Sequence, residues 1–238
     1  MPLRAALLDV GGTLWPDRSA TAPPPEATVA RLADVLGGVD AALLERLRVA
    51  LGEAVTAFSA QLVQDTEGLV TRVAAGLGLE LDAATALGVR RAMNPPADRR
   101  VTTFEGAAGL LRDLRALGLR IVVVSNAYWR DADAYRCDFA TLGVGDLIDA
   151  VVSSVDLRRR KPDPAMFAAG VAAAGCEARE CVMVGNIEEK DVLPALVVGM
   201  RTVRVTHGAE RPPRSAADAS VTSLPAVAAV VRGWVAGL

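Results

Sequence analysis

Apolar positions along this chain fall into two alternating patterns. Short, nearly unbroken runs at 5–10, 121–124, 151–152, 182–184 and 202–205 are rich in Val, Leu, Ile and Ala, and several end at small or polar residues. Such runs read as parallel strands buried on both faces. Between the later runs the apolar spacing changes to three and four. Ala107, Leu110, Leu111, Leu114 and Leu117 line one helical face, and Gly118 is placed to stop it. Asp163-Pro164 joins an N-cap to proline at the first helical position, and Ser223-Leu224-Pro225 begins the last helix in a similar way. Strand-helix alternation with short links predicts an α/β fold, a parallel sheet with helices on both faces.

The chain departs from that alternation after its first strand. Pro23, Pro24 and Pro25 make a stiff lead-in, and only helical spacing follows. The clearest stripe is Leu44, Leu47, Leu51, Val55, Phe58 and Leu62, with Asp40 as N-cap. Leu69, Val70, Val73 and Leu77 continue it, Asp82 starts a further segment, and Asn94-Pro95-Pro96 breaks the pattern. The expected organisation is an α/β core from 1–16 and 100–238 and a helical cap from 17–99. The stripes are read as the cap's own core. Ligands of open parallel sheets bind beyond the carboxyl ends of the strands, so an insert rooted there covers the site.

Composition narrows the function without choosing it. Of 238 residues, 52% are hydrophobic and 4% aromatic, so the core rests on Ala, Val and Leu. A net charge of −2 and a pI near 5.6 argue against a nucleic-acid surface. Cys137, Cys176 and Cys181 have no zinc-site spacing, and His207 is the sole histidine. Three unpaired thiols fit a reducing cytoplasm, and the N-terminal region has neither signal-peptide features nor a membrane-length apolar stretch.

Chemistry-bearing residues gather at the predicted strand ends. Asp9-Val10-Gly11-Gly12-Thr13-Leu14 follows the first strand, and Ser125-Asn126 ends the second. Lys161-Pro162-Asp163-Pro164 precedes a helix, and Gly185-Asn186 with Asp191 follows the strand at 182–184. A carboxylate such as Asp9 beside free backbone N–H groups can attack phosphorus or carbon. Thr13 and Ser125 offer short hydroxyl donors, and Lys161 a fixed positive charge. Ordinary readings stand beside these: Asp9 as a turn residue, Ser125 as a helix cap, Lys161 as surface. Arg158, Arg159 and Arg160 read as a solvated approach loop, or as a rim steering an anionic substrate. His207 reads as a loop residue and the cysteines as structural. Trp15, Tyr128 and Trp129 either line the mouth of a site or pack as buried or interface aromatics.

In this order, with the insert between the first two, the four stretches resemble the motifs of the haloacid dehalogenase superfamily over nearly the whole chain. The resemblance implies a Rossmann-like core with a helical cap and an aspartate-nucleophile hydrolase, most often a magnesium-dependent phosphatase. It places Asp9 as nucleophile, Thr13, Ser125 and Lys161 in the catalytic group, and Gly12 and Asn126 against the substrate. It places Mg2+ on Asp9, the Gly11 carbonyl, Asn186 and Asp191. The implied partner is an anionic small molecule, with neither nucleic acid nor membrane, and the chain is expected as a monomer or homodimer.

Two departures stand out. Family phosphatases carry at position 11 an Asp that protonates the leaving group, worth about 10²–10⁴-fold in rate. Gly11 has no side chain to do so, with Asp17 and Glu53 as candidate replacements. Asn186 stands where a direct magnesium ligand is usual, so the metal is expected to bind weakly unless Glu188 or Glu189 reaches in. Pro194 is expected to shorten or bend the following helix. Three functions stay open: a phosphatase for small phosphorylated metabolites, favouring good leaving groups; a metal-free 2-haloacid dehalogenase-like hydrolase, with a halide-binding arginine sought among Arg31, Arg46 and Arg48; and a binding module that has lost turnover. A sugar-kinase phosphate loop is disfavoured, since no second glycine-rich loop exists.

Overall fold

A computed structural model describes residues 2–16, 24–94, 102–210 and 214–237. Its sheet has six parallel strands in the order β3-β2-β1-β4-β5-β6. They are β1 (Ala5–Leu8), β2 (Arg120–Ser125), β3 (Ala150–Ser153), β4 (Cys181–Gly185), β5 (Arg201–Val205) and β6 (Ala219–Val221). The five apolar runs each hold a strand. The sixth was not legible: Ala219–Val221 is a half-buried edge strand, and an edge needs no continuous apolar run.

Alternation along each strand divides the core between the two faces. Ala6, Leu8, Ile121, Val123, Val182 and Val184 face α5 (Ala107–Ala116), α6 (Ala132–Thr141) and α10 (Leu224–Ala236). Ala5, Leu7, Val122, Val124 and Met183 face α8 (Pro164–Ala174), which contributes Met166 and Phe167. The caps follow the residues named from sequence. Asp163 accepts from Ala165 N at 2.9 Å, and Gly118, at φ 78°, follows the last turn of α5. A short helix α7 (Ser154–Leu157) links β3 to the basic loop.

Between β1 and α5 lie α1 (Pro25–Leu36), α2 (Ala41–Ala54), α3 (Thr66–Gly76) and α4 (Ala83–Met93). They enclose a separate core of Leu32, Leu44, Leu47, Leu51, Val70, Ala74 and Val89. Asp40 and Asp82 cap α2 and α4. Leu62, expected in the apolar stripe, is 49% exposed. The chain leaves the helix there to pair with the basic loop, with Arg160 N donating to Leu62 O and Gln64 N to Arg158 O. Positions 17 and 99, expected as the insert's limits, lie outside the described residues, as do Asp17, Pro23, Pro95 and Pro96.

The helical unit is fastened to the sheet's carboxyl edge by buried polar bonds. Arg90 on α4 donates to Trp129 O and Asp131 Oδ2, both at 2.6 Å, and meets Glu67 at 2.7 Å. Trp129 comes from the loop after β2 yet packs among the insert's apolar residues. Gln64 is fully buried and donates to Ala127 O, while its Oε1 accepts from Arg160. The loop after β2 is thus held between both units, directly over the strand ends.

Candidate active site

β1 delivers Asp9 one residue past its last ladder position, where Asp9 N donates to Val184 O at 2.9 Å. The chain then turns tightly, and the amides of Thr13, Leu14 and Trp15 all point at Val10 O. Gly12 adopts φ 75°, where a side chain is strained. A Cβ there would also stand 2.2 Å from Asn186 Nδ2. Gly12→Ala is therefore expected to cost about 1–2 kcal/mol in urea unfolding from backbone strain, and to displace Asn186. Unchanged stability would show that the turn relaxes freely.

The buried Asp9 carboxylate has two partners. Lys161 Nζ donates to its Oδ1 at 2.6 Å, and Thr13 Oγ1 to its Oδ2 at 3.0 Å. Thr13 also lies 3.4 Å from Asn186 Oδ1, but its single proton favours the nearer, charged acceptor. Lys161 Nζ donates again to Asp191 Oδ1 at 2.7 Å, and Asp191 Oδ2 accepts from Ile187 N at 3.0 Å. Burial pushes the Asp9 pKa up to about 6; Lys161 pulls it down and Asp191 adds to the rise. Burial also works against the Lys161 charge, yet Asp191 and Asp9 outweigh it and hold that pKa above the ordinary lysine value.

The surrounding structure holds these groups from behind. His207 Nε2 lies 2.9 Å from Thr13 O, which can only accept, so that nitrogen carries the proton. The ring stacks on Phe104 at 3.6 Å. The loop reading of His207 thus gains a structural task, bracing the turn after Asp9. Asp191 lies against Gly185, where a Cβ would approach its carboxyl group to 2.4 Å. A wide helical turn (Glu188–Val192) carries Asp191, and Pro194 falls at the start of α9 (Leu193–Val197), beginning that helix rather than bending it.

Above Asp9 opens a cavity of about 290 Å³, lined by Asp9, Gly11, Asn126, Lys161 and Asp191 among the residues named from sequence. Thr13 stands behind Asp9, Gly12 lies under Asn186, and Ser125 bonds Tyr135 at 2.8 Å. Asn126, expected against the substrate, lines the cavity and clamps Lys161: its Nδ2 donates to Lys161 O and its Oδ1 accepts from Lys161 N. Both ends of its amide are engaged in orienting the lysine. Trp15 and Trp129 both line the cavity and pack in cores, so the two alternatives for them hold at once.

Several expectations are corrected. Arg160 is not solvated: it is buried, lies 5.0 Å from the Tyr128 ring centroid and lines the cavity. Arg31 donates to Ala92 O, Arg48 pairs with Glu45, and Arg46 is exposed; none of them lines the cavity. Arginines do reach it, but they are Arg130 and Arg160. Glu53 and Glu189 are exposed. Glu188 turns away to Arg204, Ser215 and Ala216 N, a set of bonds that keeps its carboxyl below the usual pKa despite burial. Sequence reasoning also missed Tyr135, Lys190 and Ser59 on the cavity wall. Arg160 adjoins Lys161 and Arg130 follows Trp129, a usable signal; Tyr135 offered none.

This donor set fits a tightly held magnesium ion poorly. Among the described residues no group of three or more Asp, Glu, His or Cys side chains converges. The Lys161 ammonium already bridges the two carboxylates that would carry the ion's charge, leaving less negative charge than the carboxylates alone. Asn186 adds an uncharged oxygen directed at Thr13. Electrostatically the cavity favours anions through Arg160 and Lys190, since Lys161 is shared by Asp9 and Asp191 and Arg130 is paired with Asp138.

Residues 3–199 match the family model of haloacid dehalogenase-like hydrolases. The chain is 35% identical to a phosphoglycolate phosphatase of Rhodospirillum rubrum over 112 residues, 47% of this chain and 45% of that one. It is 31% identical to a glyceraldehyde 3-phosphate phosphatase of Methanocaldococcus jannaschii over 102 residues, 41% of this chain and 42% of that one. The chain thus spans about half the length of the curated relatives it matches. Among solved structures, a HAD phosphatase from Thermococcus onnurineus superposes with TM-score 0.58 at 20% identity, covering 97% of this chain and 99% of that one. An L-2-haloacid dehalogenase from Xanthobacter autotrophicus does so with TM-score 0.55 at 20% identity, covering 97% and 99%. At that identity the structural likeness speaks for the fold.

Proposed function

The chain belongs to the haloacid dehalogenase-like hydrolases, and on that footing we propose that it hydrolyses a small phosphorylated metabolite with Asp9 as nucleophile. The observation that carries this reading is the placement of Asp9. Its carboxylate is buried at a cationic cavity, 2.6 Å from Lys161 Nζ and 3.0 Å from Thr13 Oγ1. A desolvated carboxylate with a pKa near 6 is ionised at neutral pH and more nucleophilic than an ordinary one. Lys161 offsets the repulsion between Asp9 and an incoming anion, and Asn126 keeps that lysine in line. The phosphatase names of the curated relatives favour phosphorus as the atom attacked.

A second reading, attack on carbon as in 2-haloacid hydrolysis, is favoured by one feature. Lys161 spans both carboxylates and supplies a fixed cation without a third acidic ligand. Magnesium, where it binds, would rest on Asp9, Asp191, the Gly11 carbonyl and Asn186, and would contribute charge neutralisation of the phosphoryl group.

The test is hydrolysis of an activated aryl phosphate across pH, with magnesium or with a chelator. Turnover is expected to fall as pH drops through about 6, because Asp9 then takes a proton. Weak magnesium dependence is expected at most. No turnover by folded protein would end the phosphatase reading, and halide release from 2-haloacids would be measured next.

A further inference from the structure

Cleavage of an unactivated phosphate ester expels an alkoxide, which needs a proton. Gly11, on the cavity wall, has none to give. Asp9 is the attacking group, and Lys161 is locked between two carboxylates. Arginine does not give up its proton near neutral pH. Lys190 and Tyr128 are only partly buried, and the Tyr128 ring faces Arg160. The remaining phenol is Tyr135.

Tyr135 stands on α6, which lies on the sheet face opposite α8, and its ring stacks on Trp15 with centroids 6.2 Å apart. Trp15 in turn makes a backbone bridge to Gly11. The ring therefore packs against the residue that adjoins the empty side-chain position. Its hydroxyl lies 2.8 Å from Ser125 Oγ at the end of β2. With Leu8 opposite Val123, Ser125 lies beside the segment that carries Asp9. The two hydroxyls hold two protons, and their mutual bond uses one. Tyr135 lines the cavity and Ser125 does not. Among the described residues neither hydroxyl has another partner. If Ser125 donates to Tyr135, the phenolic proton is left for the cavity.

We propose that Tyr135 is the proton donor to the leaving-group oxygen, held in place by Ser125 as a positioning residue. The inference rests on the phosphatase reading above. In the first step the Asp9 carboxylate forms a bond to phosphorus and the bond to the alkoxide oxygen breaks. The phenolic proton passes to that oxygen, releasing the alcohol and leaving a tyrosinate. In the second step water attacks the phosphorus of the aspartyl phosphate, the Asp9–phosphorus bond breaks and Asp9 is restored. Tyr135 recovers its proton from that water, and inorganic phosphate leaves. Arg130, 6.0 Å from the ring, lies beside the phenol with its guanidinium paired to Asp138. Burial pushes the phenol up to about 12, against the pull of the Ser125 bond, so the donor is fully protonated at neutral pH. Simple alcohols are weaker acids still, so the transfer runs downhill for alkyl esters and is idle for a nitrophenolate.

Tyr135→Phe keeps the ring and its stacking and removes only the hydroxyl. The experiment compares a simple alkyl phosphate with nitrophenyl phosphate in wild type, Tyr135→Phe, Ser125→Ala and Asp9→Asn, each checked by thermal unfolding. The kcat for the alkyl ester is expected to fall about 10²–10⁴-fold in Tyr135→Phe, with less than about a tenfold change for the aryl ester, and the ratio of alkyl to aryl kcat is expected to fall less in Ser125→Ala. Equal losses for both esters would overturn the proposal, because a merely structural tyrosine is blind to the leaving group. Wild-type activity confined to the aryl ester would overturn it too. Aryl turnover that survives in Asp9→Asn, or wild type inert toward both esters, would instead strike the phosphatase reading itself, and the proposal would fall with it.

Discussion

Asp9→Asn is expected to reduce turnover to background, a loss on the order of 10⁶-fold, the scale met when a covalent nucleophile is removed. Asn is nearly isosteric, so it keeps the acceptor for Thr13 or Lys161 while losing the charge that attacks. The same substitution has a predictable effect on stability. The Asp9 pKa is raised from 3.8 to about 6 on folding, so between those values the folded protein binds a proton that the unfolded chain has released. Its contribution to stability therefore declines as pH rises through that window. Asn at position 9 removes the decline. Melting temperatures measured with chelator present should show Asp9→Asn gaining on wild type from about pH 4 to 6. Retained turnover in protein free of contaminating phosphatase would remove Asp9 from the nucleophile's place; a constant difference in melting temperature would contradict its raised pKa.

Lys161→Met is the second large effect. The ammonium is the shared partner of two buried carboxylates, 2.6 and 2.7 Å away. Methionine is unbranched like lysine, one atom shorter, and takes away its charge. Breaking a buried ion pair from one side costs about 3–5 kcal/mol, because the opposite charge is left without a partner. Two such charges remain here, facing one another. Turnover should be lost along with stability, since nothing then offsets the repulsion between Asp9 and an anionic substrate. The Lys161 pKa lies above its unfolded value, so in wild type its contribution is complete throughout the neutral range and fades only at strongly alkaline pH. In the variant Asp9 loses the pull of Lys161 and takes up a proton more readily, so the deficit in urea denaturation should shrink as pH falls. A variant with wild-type stability at pH 7 would mean that Asp9 and Asp191 do not depend on Lys161.

Legibility along the chain differed by residue for identifiable reasons. Asp9, Lys161 and Asp191 were named because the stretches that carry them resemble the family's motifs and follow one another in the same order. Arg160 was misread because four successive basic residues ordinarily mark solvent. Here residues 158–160 pair with 62–64 of the insert, and that pairing draws Arg160 inward onto Gln64 and Tyr128. The bonds of Asn126 to the Lys161 peptide were not legible, since nothing local points to a partner 35 positions away. Leu62 obeyed the helical spacing of its neighbours and still emerged to solvent, because the chain changes direction there.

Chain order and periodicity were sufficient for the α/β class and the helices inserted after β1, while the four motifs were read from a family resemblance. Burial on both faces forces continuous apolar runs, and caps and stops are written in neighbouring residues, so these features need only short-range information. Contact in three dimensions was needed for the sixth strand, for Lys161 bridging Asp9 and Asp191, and for the Ser125–Tyr135 pair at the cavity wall. Asp9 and Lys161 lie 152 positions apart, and Gln64 and Arg160 lie 96 apart. A side chain's partner at such separation is set by how layers pack and where loops return, which local patterning does not encode.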